Sequence, residues 1–393
     1  MDFSFTEEQQ RMRDEISHVI SDAKARAKVM GMSTSDFASQ LYAEMGSHRW
    51  MGIFAPKEYG GLGRELIDYA ILEETLHYVG APEVVRTWAD INGIVIATLV
   101  TLGSPEIKEG FLPKMCKGEI KSSICWSEPD SGSDGHVHTT RATEEGDYLI
   151  VNGTKLWNES HRCTHTLAFV KTNPQAPRGQ GHSALMIDLA SPGISMSPYW
   201  MIWGLNRDET VFENVKVPKQ NLVGQKNKGW DYWYGRGGSQ CIEWSMLGNV
   251  GLLQRDFERF LGRIKEITYE GKLLTQNATN RGILVDLSLD LQVARLLYYR
   301  AWTSKAENGL PELPLAATTK VFTTELWQKL YTGMINILGR YGQLEGRLAA
   351  AKYPVVALGV PPNYKFSPAL AIGGMPTEIE RNIIASLKLD LPK

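Results

Sequence analysis

Cysteine is scarce in this chain: four residues in 393, Cys116, Cys125, Cys163 and Cys241. None of them forms a Cys-x-x-Cys pair, so neither a thiolate metal site nor a redox dithiol is expected, and buried free thiols are. His136, His138, His161 and His165 share no ligand spacing with acids or cysteines, so no metal is expected. Charge of one sign is also lacking. The formal net charge of −2 gives no electrostatic reason to bind nucleic acid or an anionic membrane. No apolar run reaches the roughly 18 residues that a membrane-spanning helix requires. The first residues, Met1-Asp2-Phe3-Ser4-Phe5-Thr6-Glu7-Glu8, are acidic and lack the basic-then-apolar order of a secretory signal. A cytoplasmic protein is therefore expected.

What is present fits a large globular chain. Its 393 residues exceed what one hydrophobic core usually serves, which predicts two or three units. A hydrophobic content of 43% with 22% charged residues supplies ordinary cores. Eleven tryptophans are many, and most should fill core and interface.

Residues 1–120 read as helices. Thr6-Glu7-Glu8-Gln9 has the form of a capping box, followed by Met12, Ile16 and Ile20 at helical spacing. Pro56-Lys57-Glu58-Tyr59-Gly60-Gly61-Leu62-Gly63 breaks the pattern, and Ile71 to Val79 and Ile91 to Leu102 resume it. From about 121 the runs are short and β-rich: Tyr148 to Val151, Leu167 to Val170, Ala184 to Ile187. Asn152-Gly153 after the first of these reads as a hairpin turn. The spacing predicts a small β-barrel or sandwich over 121–229. Over 230–393 helices return, at Ile242 to Ile267, Leu284 to Lys305 and Leu315 to Leu338. Pro354 to Pro368 reads as an ordered loop before a last helix, Thr377 to Leu387.

Five segments carry more specific information. They are Tyr59-Gly60-Gly61-Leu62-Gly63; Cys125-Trp126-Ser127-Glu128-Pro129 with Gly132-Ser133-Asp134; Asn152-Gly153-Thr154-Lys155-Leu156-Trp157; Val215-Lys216-Val217-Pro218 with Asn221-Leu222-Val223-Gly224; and Glu378-Ile379-Glu380-Arg381-Asn382-Ile383-Ile384-Ala385. In this order they resemble the acyl-CoA dehydrogenase family over nearly the whole chain. Ser127 and the Thr172 to Pro177 stretch look most like a bacterial branch that handles bulky or ring-bearing acyl-CoAs, steroid side chains among them.

The resemblance implies an α+β fold: an N-terminal helical domain (1–120), a middle β-domain (121–229) and a C-terminal four-helix-type bundle (230–393). It implies FAD between the last two, α,β-dehydrogenation of an acyl-CoA, and an electron-transfer flavoprotein as acceptor. Carried over, Trp126, Ser127, Trp157 and Thr377 contact the flavin, either Asn158 or Ser160 donates to it, and Ser133 meets the CoA side of the substrate. Glu159 is unusual there, because a carboxylate would oppose the charge of a reduced flavin.

The reaction needs a carboxylate that takes the α-proton while hydride leaves the β-carbon. Much of the family has this Glu in an E-G-[TS] motif before the last helix. Here it falls on Gly373 or Gly374, in Gly373-Gly374-Met375-Pro376-Thr377. Other members carry it on the first bundle helix, where Glu243 stands eight residues before Gly251. Met246, Leu247 and Val250 share its face at helical spacing, which would desolvate the acid and raise its pKa. The competing reading is a helix-start Glu that faces water or offsets the dipole. Ile267-Thr268-Tyr269-Glu270-Gly271 lacks the Arg and Phe that family members offer to FAD across a subunit interface, and Asn336 to Gly342 also departs. A second, related chain would supply what is missing, giving an α2β2 assembly; a homotetramer is the alternative. Two rival functions remain: a non-catalytic partner subunit, and a relative doing other flavin chemistry.

Overall fold

The computed structural model describes residues 4–80, 93–204, 206–230, 240–269, 271–305, 309–346 and 358–392. The first region contains α1 (Glu7–Val29), α2 (Thr34–Ser47), α3 (Leu66–Val79), α4 (Gly93–Leu102) and α5 (Pro105–Cys116). The capping box forms as expected: Gln9 N donates to Thr6 Oγ1 at 3.2 Å and Thr6 N to Gln9 Oε1 at 3.0 Å. Met12, Ile16 and Ile20 lie on the buried face of α1. Helix α3 is buried on most sides, with Glu73 and Glu74 inside.

The middle region is one eight-stranded sheet. Its strands are β1 (Ser122–Cys125), β2 (Arg141–Glu145), β3 (Tyr148–Asn158), β4 (His165–Lys171), β5 (His182–Asp188), β6 (Ile194–Trp200), β7 (Asn206–Pro218) and β8 (Leu222–Val223). They run in the order β6-β7-β3-β2-β4-β5-β8, with β1 parallel to β4. Asn152-Gly153 is not a hairpin turn. It lies within β3, at a register shift against β7. Gly153 uses its freedom there: at φ +145°, an added Cβ would sit 2.6 Å from Thr140. The β2–β3 turn comes earlier, at Gly146 with φ +56°.

The last region holds α6 (Gln240–Leu247), α7 (Gly251–Ile264), a small hairpin of β9 (Thr268–Tyr269) and β10 (Lys272–Leu273), α8 (Ala278–Thr303), α9 (Leu313–Leu338), α10 (Val360–Leu370) and α11 (Thr377–Lys388). Phe257, Phe260, Leu287, Leu291, Leu330 and Tyr331 share its core. Buried acids tie this bundle to α3: Arg295 Nε meets Glu74 Oε1 at 2.8 Å, and the Tyr298 and Tyr299 hydroxyls donate to Glu73 and Glu74.

Two expectations fail here for identifiable reasons. The stretch 242–267 is two helices, not one. A Cβ on Gly248 would lie 2.2 Å from Thr319 Cγ2, and Asn249 Oδ1 accepts from Gly251 N at 2.7 Å. Asn249 Nδ2 also bonds His77 Nδ1 at 3.1 Å. Asn249→Ala leaves the buried Gly251 N–H without this partner and should cost about 1–3 kcal/mol, read as a lower denaturation midpoint at unchanged slope. The proline-rich stretch likewise contains a helix, α10, whose Pro361 and Pro362 occupy its first turn, where no N–H is needed.

Candidate functional site

The site grows from two ends of the middle sheet and one turn of the bundle. At the sheet, Leu156 N donates to Ser127 O at 2.7 Å, which makes Trp126-Ser127 and Trp157 neighbours although about thirty residues separate them. Lys155, fully buried, fixes this junction. Its Nζ donates to Trp126 O at 2.7 Å and pairs with Glu128 Oε1 at 3.0 Å. Glu128 accepts further from Thr139 N, Thr139 Oγ1 and Thr140 N. Burial alone would raise its pKa, but the Lys155 ammonium and the two threonine N–H groups pull it well below the ordinary carboxylate range. Glu128 is thus a fixed anion that holds the loop. Lys155 sits inside a quoted motif yet had no assigned role. Its position in a strand whose alternation points it inward is the signal that was available.

The Trp126 indole turns into an aromatic cluster. It stacks on Phe169 at 4.3 Å, Phe169 stacks on His182 at 4.8 Å, and Trp230 meets Trp126 edge-on at 5.5 Å. Burial pushes His138 down to about 3 and His182 to about 4, so both are neutral at physiological pH. What this segment offers outward is therefore backbone and the half-buried Ser127. Ser133 is exposed, two residues beyond a turn closed by Glu128 and Ser131, which exchange backbone bonds of 2.8 and 3.0 Å.

Trp157 is held at φ +67°, an uncommon value for a residue with a Cβ, next to a register shift between β3 and β7. This turns its ring out: it is 39% exposed and meets Trp203 edge-on at 5.9 Å. Asn158 and Ser160 face inward instead. Asn158 Oδ1 accepts from Ser160 N and from Thr210 Oγ1, and Ser160 Oγ lies 2.9 Å from Ser123 Oγ. The buried Asn158 Nδ2 has no hydrogen-bond partner among the described residues. Glu159 does not stand as a bare anion, because Arg207 pairs with it. The same guanidinium lies 6.0 Å from the Trp157 ring centroid. Arg207 was missed in the sequence because it comes from β7, which pairs with β3 only in the fold.

At the bundle, Glu243 is half-buried on α6. The turn between α10 and α11 passes beside it, with Gly374 at φ +64° and Met375 at φ +89°. A Cβ on Gly374 would stand 2.6 Å from Glu243 Oε1 and 2.9 Å from Leu247 Cδ1. The Glu243 carboxyl therefore fills the space that a side chain at 374 would occupy. The two places where the sequence admits a base are one place in the fold. Leu247 lines it as the helical spacing predicted. Val250 does not continue that face, because α6 ends at Leu247, and the Met246 side chain lies outside the described residues. Thr377 opens α11, buried, with its N–H on Ala371 O at 3.0 Å. Among the described residues no cluster of three or more metal-ligating side chains occurs, and no helix is long and apolar enough to cross a membrane.

Comparison with known proteins agrees with this geometry. Three family models match in succession: the N-terminal domain of acyl-CoA dehydrogenase over residues 6–119, its middle domain over 123–215 and its C-terminal domain over 244–388. The chain is 26% identical to acyl-CoA dehydrogenase FadE26 of Mycobacterium tuberculosis, over 100% of this chain and 99% of that one. It superposes on the ChsE4-ChsE5 complex from the same organism with a TM-score of 0.85 at 25% identity, covering 100% of both chains. The Tcur3481-Tcur3483 steroid ACAD gives a TM-score of 0.84 at 25% identity, again with full coverage. With its three-part architecture and these three family models matched in order, the chain belongs to the acyl-CoA dehydrogenase family, flavin-dependent oxidoreductases that act on the CH–CH bond of acyl-CoA thioesters.

Proposed function

We propose that this chain dehydrogenates an acyl-CoA with a bulky or cyclic acyl group, using Glu243 as the base and FAD as the hydride acceptor. The observation that carries the assignment of the base is the contact between Glu243 and Gly374, since a carboxyl reaches the turn where much of the family carries one. The ring preference rests on likeness to the steroid ACAD.

The residues present fit FAD. Trp157 offers an exposed planar face, Arg207 neutralises Glu159 beside it, and the Ser127 segment is anchored firmly enough to aim its backbone and hydroxyl. In this reading Trp126, Ser127, Trp157 and Thr377 hold the flavin, and Ser133 meets the CoA side of the substrate. Asn158 and Ser160 support the Trp157 bulge from behind, and a donor bond from Asn158 Nδ2 to the flavin requires that amide, now buried, to turn outward. Bound FAD supplies the acceptor for the β-hydride. Glu243 takes the α-proton at a carboxylate oxygen, held between Leu247 and the bare α-carbon of Gly374.

Gly374→Ala tests this packing. A methyl group 2.6 Å from Oε1, at a φ that disfavours a side chain, displaces the carboxyl. A shift of about 1 Å should lower kcat on the order of 100-fold. Flavin content, read from visible absorbance, should stay as in wild type. The reading as a whole is tested by titrating the purified chain with acyl-CoAs without oxygen. Bleaching of the flavin by ring-bearing thioesters supports it. Oxygen consumption without an acyl-CoA would point to other flavin chemistry.

Assembly is part of the proposal. Val285, Leu289, Val293 and Leu296 form an exposed apolar stripe along α8, and the likeness to the ChsE4-ChsE5 complex favours a second, related chain over a homotetramer. A partner would also offset the altered 267–271 segment. A colourless chain that gains flavin and mass only on co-expression with a paralogue would make it a non-catalytic partner. We further assign the domain limits 1–120, 121–229 and 230–393, a cytoplasmic location, and an electron-transfer flavoprotein as acceptor.

A further inference from the structure

Behind Glu243 lies a buried ion pair that the reaction as written does not use. Lys320 on α9 and Glu380 on α11 are both fully buried, with Nζ and Oε1 2.5 Å apart. The same ammonium donates to the backbone carbonyl of Met375. It thus grips the Gly373-Gly374-Met375 turn from below while Glu243 presses on that turn at Gly374. We propose that Lys320 is a positioning residue for the base: it fixes the turn against which the Glu243 carboxyl rests, and it places a buried cation within electrostatic reach of that carboxyl. This rests on the reading of Glu243 as base.

The electrostatic surroundings agree with the geometry. Burial lowers the pKa of Lys320, whereas Glu380, Glu243 and Glu378 each favour its charged form. Burial pushes Glu380 up to about 7. Lys320 opposes that rise, Glu243 adds to it, and Arg381 opposes it weakly. Arg381 is itself held by Glu325 at the surface. The charges that meet around this turn are therefore Glu243 from α6, Lys320 from α9, and Glu378, Glu380 and Arg381 from α11. In that set Lys320 is the only buried cation, and its loss leaves the repulsion between Glu243 and Glu380 opposed only by the exposed Arg381. A cation beside the base favours carboxylate over carboxylic acid and so moves the acidic limb of the rate profile to lower pH. A salt bridge that only held two helices together would leave that limb where it is.

The test uses the full chain with whatever partner it needs for flavin. Glu380→Gln keeps the cation and removes its competing anion. Lys320→Met/Glu380→Gln removes both charges and leaves no buried ion. Lys320→Arg keeps a cation that cannot serve Glu380 and the Met375 carbonyl with the same geometry. Each variant is checked for melting temperature and flavin absorbance, and kcat and kcat/KM are then measured against pH. The acidic limb should move to lower pH in Glu380→Gln and to higher pH in the double variant. In the double variant kcat should fall about tenfold or more while KM changes little, since positioning acts in the transition state. Lys320→Arg should lower kcat with a smaller displacement of the limb. Superimposed limbs in Glu380→Gln and the double variant, or an unchanged kcat in the double variant, overturn the proposal. Glu243→Gln separates the two layers. If it still turns over, the base assignment fails and this proposal falls with it. If it is inactive while the limbs coincide, only the role of Lys320 fails.

Discussion

Glu243→Gln should retain flavin and lose acyl-CoA dehydrogenation by roughly 10²–10⁴-fold, the range that a positioned acid or base contributes. The amide has the volume of the carboxyl, so it keeps the contact with Gly374 and Leu247 and leaves α6 undisturbed. Only the ability to accept a proton goes. Because proton abstraction and hydride departure belong to one reaction, both should stop together, and substrate should no longer bleach the flavin. Substrate should still bind, since the amide occupies the same space. The helix-start reading makes the opposite forecast: a Glu that only faces water or offsets a dipole contributes a few tenths to about 1 kcal/mol of stability and nothing to turnover. Unchanged bleaching by Glu243→Gln would remove the base assignment.

A second large effect is expected on stability. Lys155→Met strands Glu128, an anion buried beside the Trp126-Ser127 segment, and breaking a buried pair by removing one partner costs about 3–5 kcal/mol. It also deletes the bond that fixes the Trp126 carbonyl. The melting temperature should drop and flavin should be lost before the chain unfolds. A pH signature accompanies this. The folded pKa of Glu128 is depressed, to about 2, so its contribution is fully present above the ordinary carboxylate range and is lost as pH falls toward about 2. In Lys155→Met that depression shrinks, so stability should depend less on pH across the acid range. Equal melting temperatures for wild type and Lys155→Met would show that the pair contributes no net stability.

The sequence discloses local structure well and remote partnership poorly. The capping box at Thr6 and the strand runs are short-range patterns, and each forms as read. Asn152-Gly153 misleads because the same dipeptide serves a bulge when another strand, here β7, lies against it, and Thr140 leaves no room for a side chain at Gly153. The break after Leu247 is invisible because its causes, Thr319 and His77, are distant in the chain. Lys320 looks like an ordinary solvent-facing lysine in a one-dimensional reading, and strand alternation that points Lys155 inward does not say which carboxylate it meets. Only folding shows that each is sealed inside with a carboxylate. Glu243 could be proposed from its spacing to Gly251, but its meeting with Gly374 required the structure.

That meeting has a historical consequence. The space that a side chain at 374 would enter is the one that the Glu243 carboxyl fills from α6. On the proposed reading the base therefore belongs to that space and not to a place in the chain. A lineage that moves its base from one segment to the other cannot simply hold both at once, since the second would collide with the first. It must pass through a form with neither, or with one of the two side chains turned away. Such a form can survive beside an active sister chain, so a gene duplication that yields paired subunits is a natural setting in which the base changes address.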